Sequence, residues 1–204
     1  MKLYYSPGAC SLSPHIVLRE AGIPFELERV DTKEKKTRSG QDFRAINPKG
    51  MVPALVLDDG EVLTEGPAIV QYIADKKPGA GLIPAAGTIQ RYRVLEWLNF
   101  IASEIHKSFT PLFKPNTPED YKVIAKDNLA AAFALLDRHL AGKSYLMGDG
   151  FNVADAYLFV VLNWARLQKI DIAQWPNVKA FRDRVAARPK VHEAMQAEGL
   201  IKPT

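Results

Sequence analysis

The sequence predicts an α/β domain with a small mixed sheet followed by an all-α domain, and three observations predict it. Strand-like and helix-like segments alternate up to about Lys77. A Pro/Gly-rich stretch, "KPGAGLIPAAG", then interrupts the chain. Beyond it the strand signals vanish and long helical periodicities take over. The expected domains are residues 1–80 and residues 87–204.

Each element has its own justification. "KLYY" has β character, and "SPHIVLREAG" is helical, with Ile16 and Val17 on its apolar side and Gly22 as its stop. "FELERV" alternates as a half-buried strand does. "SGQDFRAINP" is a short helix or turn closed by Pro48. "PALVLDDGEVLT" reads as two strands joined through Asp59-Gly60, a strong hairpin signal. "EGPAIVQYIADKK" is a helix that tolerates Pro67 in its first turn. The order β-α-β-α-β-β-α combines a crossover unit with a terminal hairpin, hence a mixed sheet with helices packed on it.

In the second domain, Val94, Leu98, Ile101, Ile105 and Phe109 form a helical stripe in "TIQRYRVLEWLNFIASEIHKSF", and that helix is expected to end before Pro111. "PEDYKVIAKDNLAAAFALLDRHLAG" is a second long helix stopping at Gly142. "NVADAYLFVVLNWARLQ" is apolar almost all round and is therefore expected to be buried. Asn152 to Asp155 before it has the form of a capping box. Two shorter helices follow, separated at Pro189.

Composition narrows the function classes. An apolar content of 47% and a charged content of 25% describe an ordinary soluble globular chain. No run approaches the roughly 18 apolar residues of a membrane span. "MKLYYSPGA" reads as a first strand, without the apolar core of a signal peptide. The single cysteine excludes an intrachain disulfide and fits a reducing compartment, so a cytoplasmic location is expected. The net charge of +4 raises nucleic acid as a partner. However, the first 80 residues are charge-balanced, and the densest basic stretch, "FRDRVAARPK", is interleaved with apolar residues at helical spacing. That is a solvated helix face, so neither nucleic acid nor membrane is expected as a partner.

Three stretches of the first domain carry chemistry. Cys10 stands between the first strand and the first helix. A lone cysteine is most often a small buried hydrophobe, but at a helix N-terminus the backbone amides favour a thiolate. A β-α-β…β-β-α unit with cysteine directly after its first strand has the grammar of a thioredoxin fold. Here C-x-x-C is replaced by Cys10-Ser11-Leu12-Ser13, so no resolving thiol follows. In "NPKGMVPALVLDDG", Val52-Pro53 opens a strand. A cis bond there would turn the Val52 backbone outward toward an extended peptide ligand, whereas an ordinary edge proline would be trans. In "LTEGPAIVQYIAD", Glu65 and Gly66 begin a helix, presenting a carboxylate beside free amides. Together these suit the head of an α-amino acid, while the alternative is that Glu65 simply caps its helix.

The second domain adds a polar stripe and an aromatic set. Tyr92, Glu96, Asn99, Ser103 and His106 recur at spacings of four and three, one face of one helix. Such a face is commonly only solvated. Phe109 and Phe113 lie around the bend, and Tyr157 and Trp164 share a helical face with Val161, a pattern that core packing also produces.

The stretches "YYSPGACSLSPHIVLREAG", "NPKGMVPAL", "LTEGPAIVQYIAD", "RYRVLEWLNFIASEIHKSFTPLF" and "FNVADAYLFVVL", in order along the whole chain, resemble a bacterial beta-class glutathione S-transferase. The resemblance implies a cytoplasmic homodimer that conjugates the glutathione thiolate to small apolar electrophiles, a detoxification reaction. Glutathione is then co-substrate and no cofactor is needed. It implies Glu65 and Gly66 at the γ-glutamyl end, Val52 and Pro53 at the cysteinyl backbone, and Lys35 at the glycine carboxylate. Cys10, Ser11 and His106 are implied around the glutathione sulfur. Asn99, Ser103 and Glu104 are implied to reach a neighbouring subunit's glutathione, and Phe109, Phe113, Tyr157 and Trp164 to wall the electrophile pocket. Gly66 departs from the Ser that many relatives carry, which removes a hydroxyl from the γ-glutamyl site. Two other outcomes fit the same residues: thiol–disulfide exchange through Cys10, or non-catalytic ligand binding.

Overall fold

The structure, a computed structural model, describes residues 1–202 and divides into two compact units. The first comprises Met1–Ile83 and the segment from Arg188 onward. Its five strands are β1 (Lys2–Tyr5), β2 (Glu26–Asp31), β3 (Lys36–Thr37), β4 (Ala54–Val56) and β5 (Val62–Thr64), in the order β3-β2-β1-β4-β5. β1 runs parallel to β2, and β4 and β5 are antiparallel additions, Leu3 facing Leu55 and Leu55 facing Leu63 in register. This is the mixed sheet that the crossover and hairpin require. Gly60 turns the hairpin at φ 89°, where an L side chain is disfavoured.

Helices α1 (Leu12–Glu20) and α2 (Gly66–Lys76) pack together, burying Ile16, Val17, Ile69, Val70 and Ile73. Because successive strand residues face opposite ways, Leu3 and Tyr4 serve different layers. Tyr4 joins Val30, Phe43 and Ala54 in a second cluster, with Val52 packed against it. The two-residue β3 carries no strand pattern of its own, being too short to show one.

The last helix, α8 (Pro189–Ala197), departs from the expected division of the chain. It packs on α1 in the first unit rather than with the helices before it. The reason is electrostatic as well as apolar. Val191 and Ala194 are buried, the Arg188 guanidinium pairs with Glu20 at 2.7 Å, and Glu198 meets His15 Nδ1 at 2.8 Å. The expected end of the second domain, residues 203–204, lies outside the described residues.

The second unit, Pro84–Ala187, holds α3 (Ile89–Phe100), α4 (Lys107–Phe113), α5 (Glu119–Leu140), α6 (Val153–Leu167) and α7 (Pro176–Ala186). The stripe Val94, Leu98, Ile101, Ile105 and Phe109 is buried throughout. Between α3 and α4, however, residues Ile101–His106 form a wider turn with i→i+5 hydrogen bonding. Pro111 does not end the helix, which continues to Phe113 because only its last turn lies beyond the missing N–H. α6 is buried along nearly its whole length. Its capping box is present: Ala154 N donates to Asn152 Oδ1 and Asn152 N to Asp155 Oδ2, both at 2.9 Å. Asp155 also accepts from Leu146 N at 2.9 Å, which ties the preceding turn to the helix.

Candidate active site

In the first unit the segment from β1 to α1 carries Cys10 and Ser11. Ser11 stands at the N-cap position without capping. Its buried hydroxyl accepts from Ser6 N at 3.1 Å and donates to Ser6 O at 3.2 Å, closing the loop on itself. Gly8 N donates to Glu198 Oε2 at 2.9 Å, so α8 anchors the same loop from outside. Glu198 in turn holds His15. Because Arg19 Nε donates to His15 Nε2 at 2.9 Å, the ring proton sits on Nδ1 and faces the carboxylate.

The Cys10 thiol donates to Val52 O at 3.3 Å. Burial pushes this thiol up to about 12, against the lowering effect of the Cys10 and Ser11 amides and reinforced by the nearby Glu65 charge. Of the two readings of this lone cysteine, the raised pKa favours the neutral thiol, because desolvation outweighs the amides. The Val52-Pro53 peptide is cis.

The Asn47–Gly50 turn before it is held by buried Asn47, whose Oδ1 accepts from Lys49 N at 3.1 Å and whose Nδ2 donates to Met51 O at 2.7 Å. Lys35, at φ 55°, lays its ammonium on Gly50 O at 2.8 Å. These contacts place Lys35 beside the turn that leads into Val52.

Glu65 is the N-cap of α2 by position, yet its side chain makes no capping bond. The alternative in which it merely caps its helix does not describe this structure. Its backbone stands at φ 69°, ψ 114°, a conformation a non-glycine residue rarely adopts and one that costs on the order of 1–3 kcal/mol. The carboxylate lies 2.6 Å from Lys49 Nζ, which also donates to Thr64 Oγ1 at 3.0 Å. Gly66, the first helical residue, has no hydrogen-bond partner for its amide among the described residues. A carboxylate and a free amide therefore stand side by side, as an α-amino acid head needs.

In the second unit, His106 Nδ1 lies 2.6 Å from the Tyr157 hydroxyl, and the His106 ring is 4.8 Å from Trp164. Trp164 also meets Phe109 and Phe113 edge-on, both at 5.7 Å. The four expected aromatic residues and His106 thus form one cluster. Within it Phe109 is fully buried and touches Phe133, a core position, whereas Phe113 is 46% exposed.

The polar stripe is not one face. Asn99, Ser103 and Glu104 are exposed, while His106 turns inward, because the wide Ile101–His106 turn rotates everything after it relative to a regular helix. Asn99 Nδ2 donates to Leu95 O at 2.8 Å and Ser103 Oγ to Asn99 O at 3.0 Å.

Sequence reasoning missed Lys49, Asn47 and Glu198. The turn signal Asn47-Pro48-Lys49-Gly50 was there to find the first two, but nothing local marks a partner that lies 190 residues from Gly8. Among the described residues no cluster of His, Cys, Asp or Glu has the make-up of a metal site, and no helix is long and apolar enough to cross a membrane.

Comparison with known proteins adds the family. The glutathione S-transferase N-terminal domain matches residues 8–76, and the glutathione S-transferase C-terminal domain matches residues 100–189. The chain is 49% identical over 200 residues to glutathione S-transferase GstA of Escherichia coli O157:H7, covering 98% of this chain and 100% of that one. Among solved structures it is similar to a ternary complex of BphK, a bacterial GST, at 55% identity and TM-score 0.96, covering 98% and 100% of the two chains. It is similar also to the bacterial beta-class glutathione S-transferase of Sphingomonas chungbukensis, at 49% identity and TM-score 0.95 with the same coverage.

Proposed function

The chain belongs to the glutathione S-transferase family, and from that premise we propose that it conjugates the thiolate of glutathione to apolar electrophiles. The observation that carries the reading is Glu65, a carboxylate held off its own helix in a strained backbone, beside the unpartnered Gly66 amide. Glu65 takes the ammonium of the γ-glutamyl head and Gly66 N–H its carboxylate. Val52 pairs its backbone with the cysteinyl residue, Pro53 fixes that edge, and Lys35 receives the glycine carboxylate.

This places the glutathione sulfur near Cys10. When glutathione binds, the single Cys10 S–H turns from Val52 O to the glutathione thiolate and so lowers the substrate's pKa, the reverse of acting as nucleophile itself. Ser11 shapes the loop through Ser6 and acts as a positioning residue. The family resemblance makes His106 the group that shares the thiol proton. The protonated state of Cys10 disfavours thiol–disulfide exchange as the main reaction, since only the thiolate attacks a disulfide.

In the same reading Phe113, Tyr157 and Trp164 wall the electrophile, with Phe109 as their support in the core. The enzyme is a homodimer of the beta class in which the exposed Asn99, Ser103 and Glu104 serve a neighbouring subunit's glutathione. It works in the cytoplasm in detoxification, without a cofactor. The test is turnover of an aryl halide with glutathione, run beside reduction of a glutathione mixed disulfide. Conjugation well above the uncatalysed rate, with little reductase activity, supports the reading. Disulfide reduction alone would replace it with thiol exchange, and ligand binding with neither activity would leave a binding protein.

A further inference from the structure

We propose that Lys49 is a second cationic arm of the γ-glutamyl site, exchanging Glu65 for the ligand's α-carboxylate when glutathione binds; the proposal rests on the glutathione reading above. The carboxylate that must receive the ligand's ammonium already holds one, since Lys49 Nζ lies 2.6 Å from Glu65 Oε1. Both side chains are about half exposed, at 49% and 63%, and an exposed pair of this kind is weak and readily exchanged. An α-amino acid head carries its ammonium and carboxylate on one carbon. Bringing the ammonium to Glu65 therefore brings the carboxylate to the displaced Nζ.

The charge count favours the exchange. With the site empty, Glu65 and Lys49 neutralise each other. With a zwitterionic head inserted, the site is still neutral, but two charge-assisted contacts stand where there was one. The subsite also needs the extra donor. A carboxylate has about four lone-pair positions, and Gly66 supplies a single N–H and no hydroxyl.

The anchor of Lys49 suits this role. Its backbone is fixed by the buried Asn47 carboxamide, by Gly50 N donating to Asn47 O at 2.8 Å, and by Lys35 Nζ on Gly50 O. The turn stays in place while the flexible four-carbon stem moves the charge.

The experiment titrates wild type, Lys49→Met and Lys49→Arg with glutathione and with its analogue lacking the α-carboxylate, γ-aminobutyryl-cysteinylglycine. Loss of one charge-assisted contact should weaken glutathione binding by Lys49→Met about tenfold. The same variant should bind the analogue no more weakly than wild type does, and Lys49→Arg should restore most of the glutathione affinity. Unchanged or tighter glutathione binding by Lys49→Met overturns the proposal, because Lys49 is then at most a competitor for Glu65. Equal weakening toward both ligands overturns it too, since the turn itself has then been damaged. Failure of the wild type to bind glutathione refutes the functional reading instead, which keeps the two failures apart.

Discussion

A thiol just before a helix start ordinarily ionises with ease, yet the half-buried Cys10 donates to the Val52 carbonyl and desolvation pushes its thiol up. With the thiol at about 12, the thiolate fraction rises roughly tenfold per pH unit across the whole range from 7 to 10. Alkylation of Cys10 by iodoacetamide should accordingly accelerate through that range without a plateau. A rate that levels off near pH 8 would mean an activated thiol. Gly66 offers a gain rather than a loss. Its φ is ordinary, and a Cβ built there would meet nothing nearer than Pro53 Cγ at 3.9 Å. Gly66→Ser should therefore fold and restore a hydroxyl to the γ-glutamyl site, tightening glutathione binding about fivefold, a net hydrogen bond of about 1 kcal/mol. Unchanged affinity would show that no carboxylate sits at that helix start. Of these residues the sequence marks Cys10, Glu65 and Gly66 by type and place, but the protonation of Cys10 is set by its burial and by a partner 42 residues away.

Among the elements, α6 is the most legible, because its apolar run and its capping box are both local patterns. Asp155 is fully buried and accepts two backbone amides, Leu146 N and Asn152 N. Asp155→Ala strands both, so the variant should lose about 2–4 kcal/mol in urea unfolding, whereas Asp155→Asn retains part of that. A loss under about 0.5 kcal/mol would show that the box is ornamental. The α3–α4 segment is less legible. Its buried stripe from Val94 to Phe109 is readable, but Ile101–His106 winds more widely than a regular helix, so a spacing of 3.6 misplaces His106 relative to Asn99 and Ser103. Spacing also cannot separate Phe109, a core residue, from Phe113, which reaches solvent.

For the molecule as a whole, the change of grammar after Lys77 identifies an α/β part and a helical part, because strand and helix periods are properties of local sequence. The return of the chain from Arg188 onward to the first unit is not local, and it rests on Glu20, His15 and Arg19 meeting Arg188, Glu198 and Glu193 across the sequence. Assembly is a further expectation at this scale. If Asn99, Ser103 and Glu104 serve a neighbouring subunit, sedimentation should find a dimer at assay concentrations, and a fully active monomer would contradict that. Whether the first unit binds glutathione through Glu65 is decided by calorimetric titration of wild type and Glu65→Ala with glutathione. Saturable binding by wild type is expected, with a dissociation constant at least about tenfold higher in the variant, a difference of about 1.4 kcal/mol. An identical dissociation constant in the two proteins would contradict binding through Glu65.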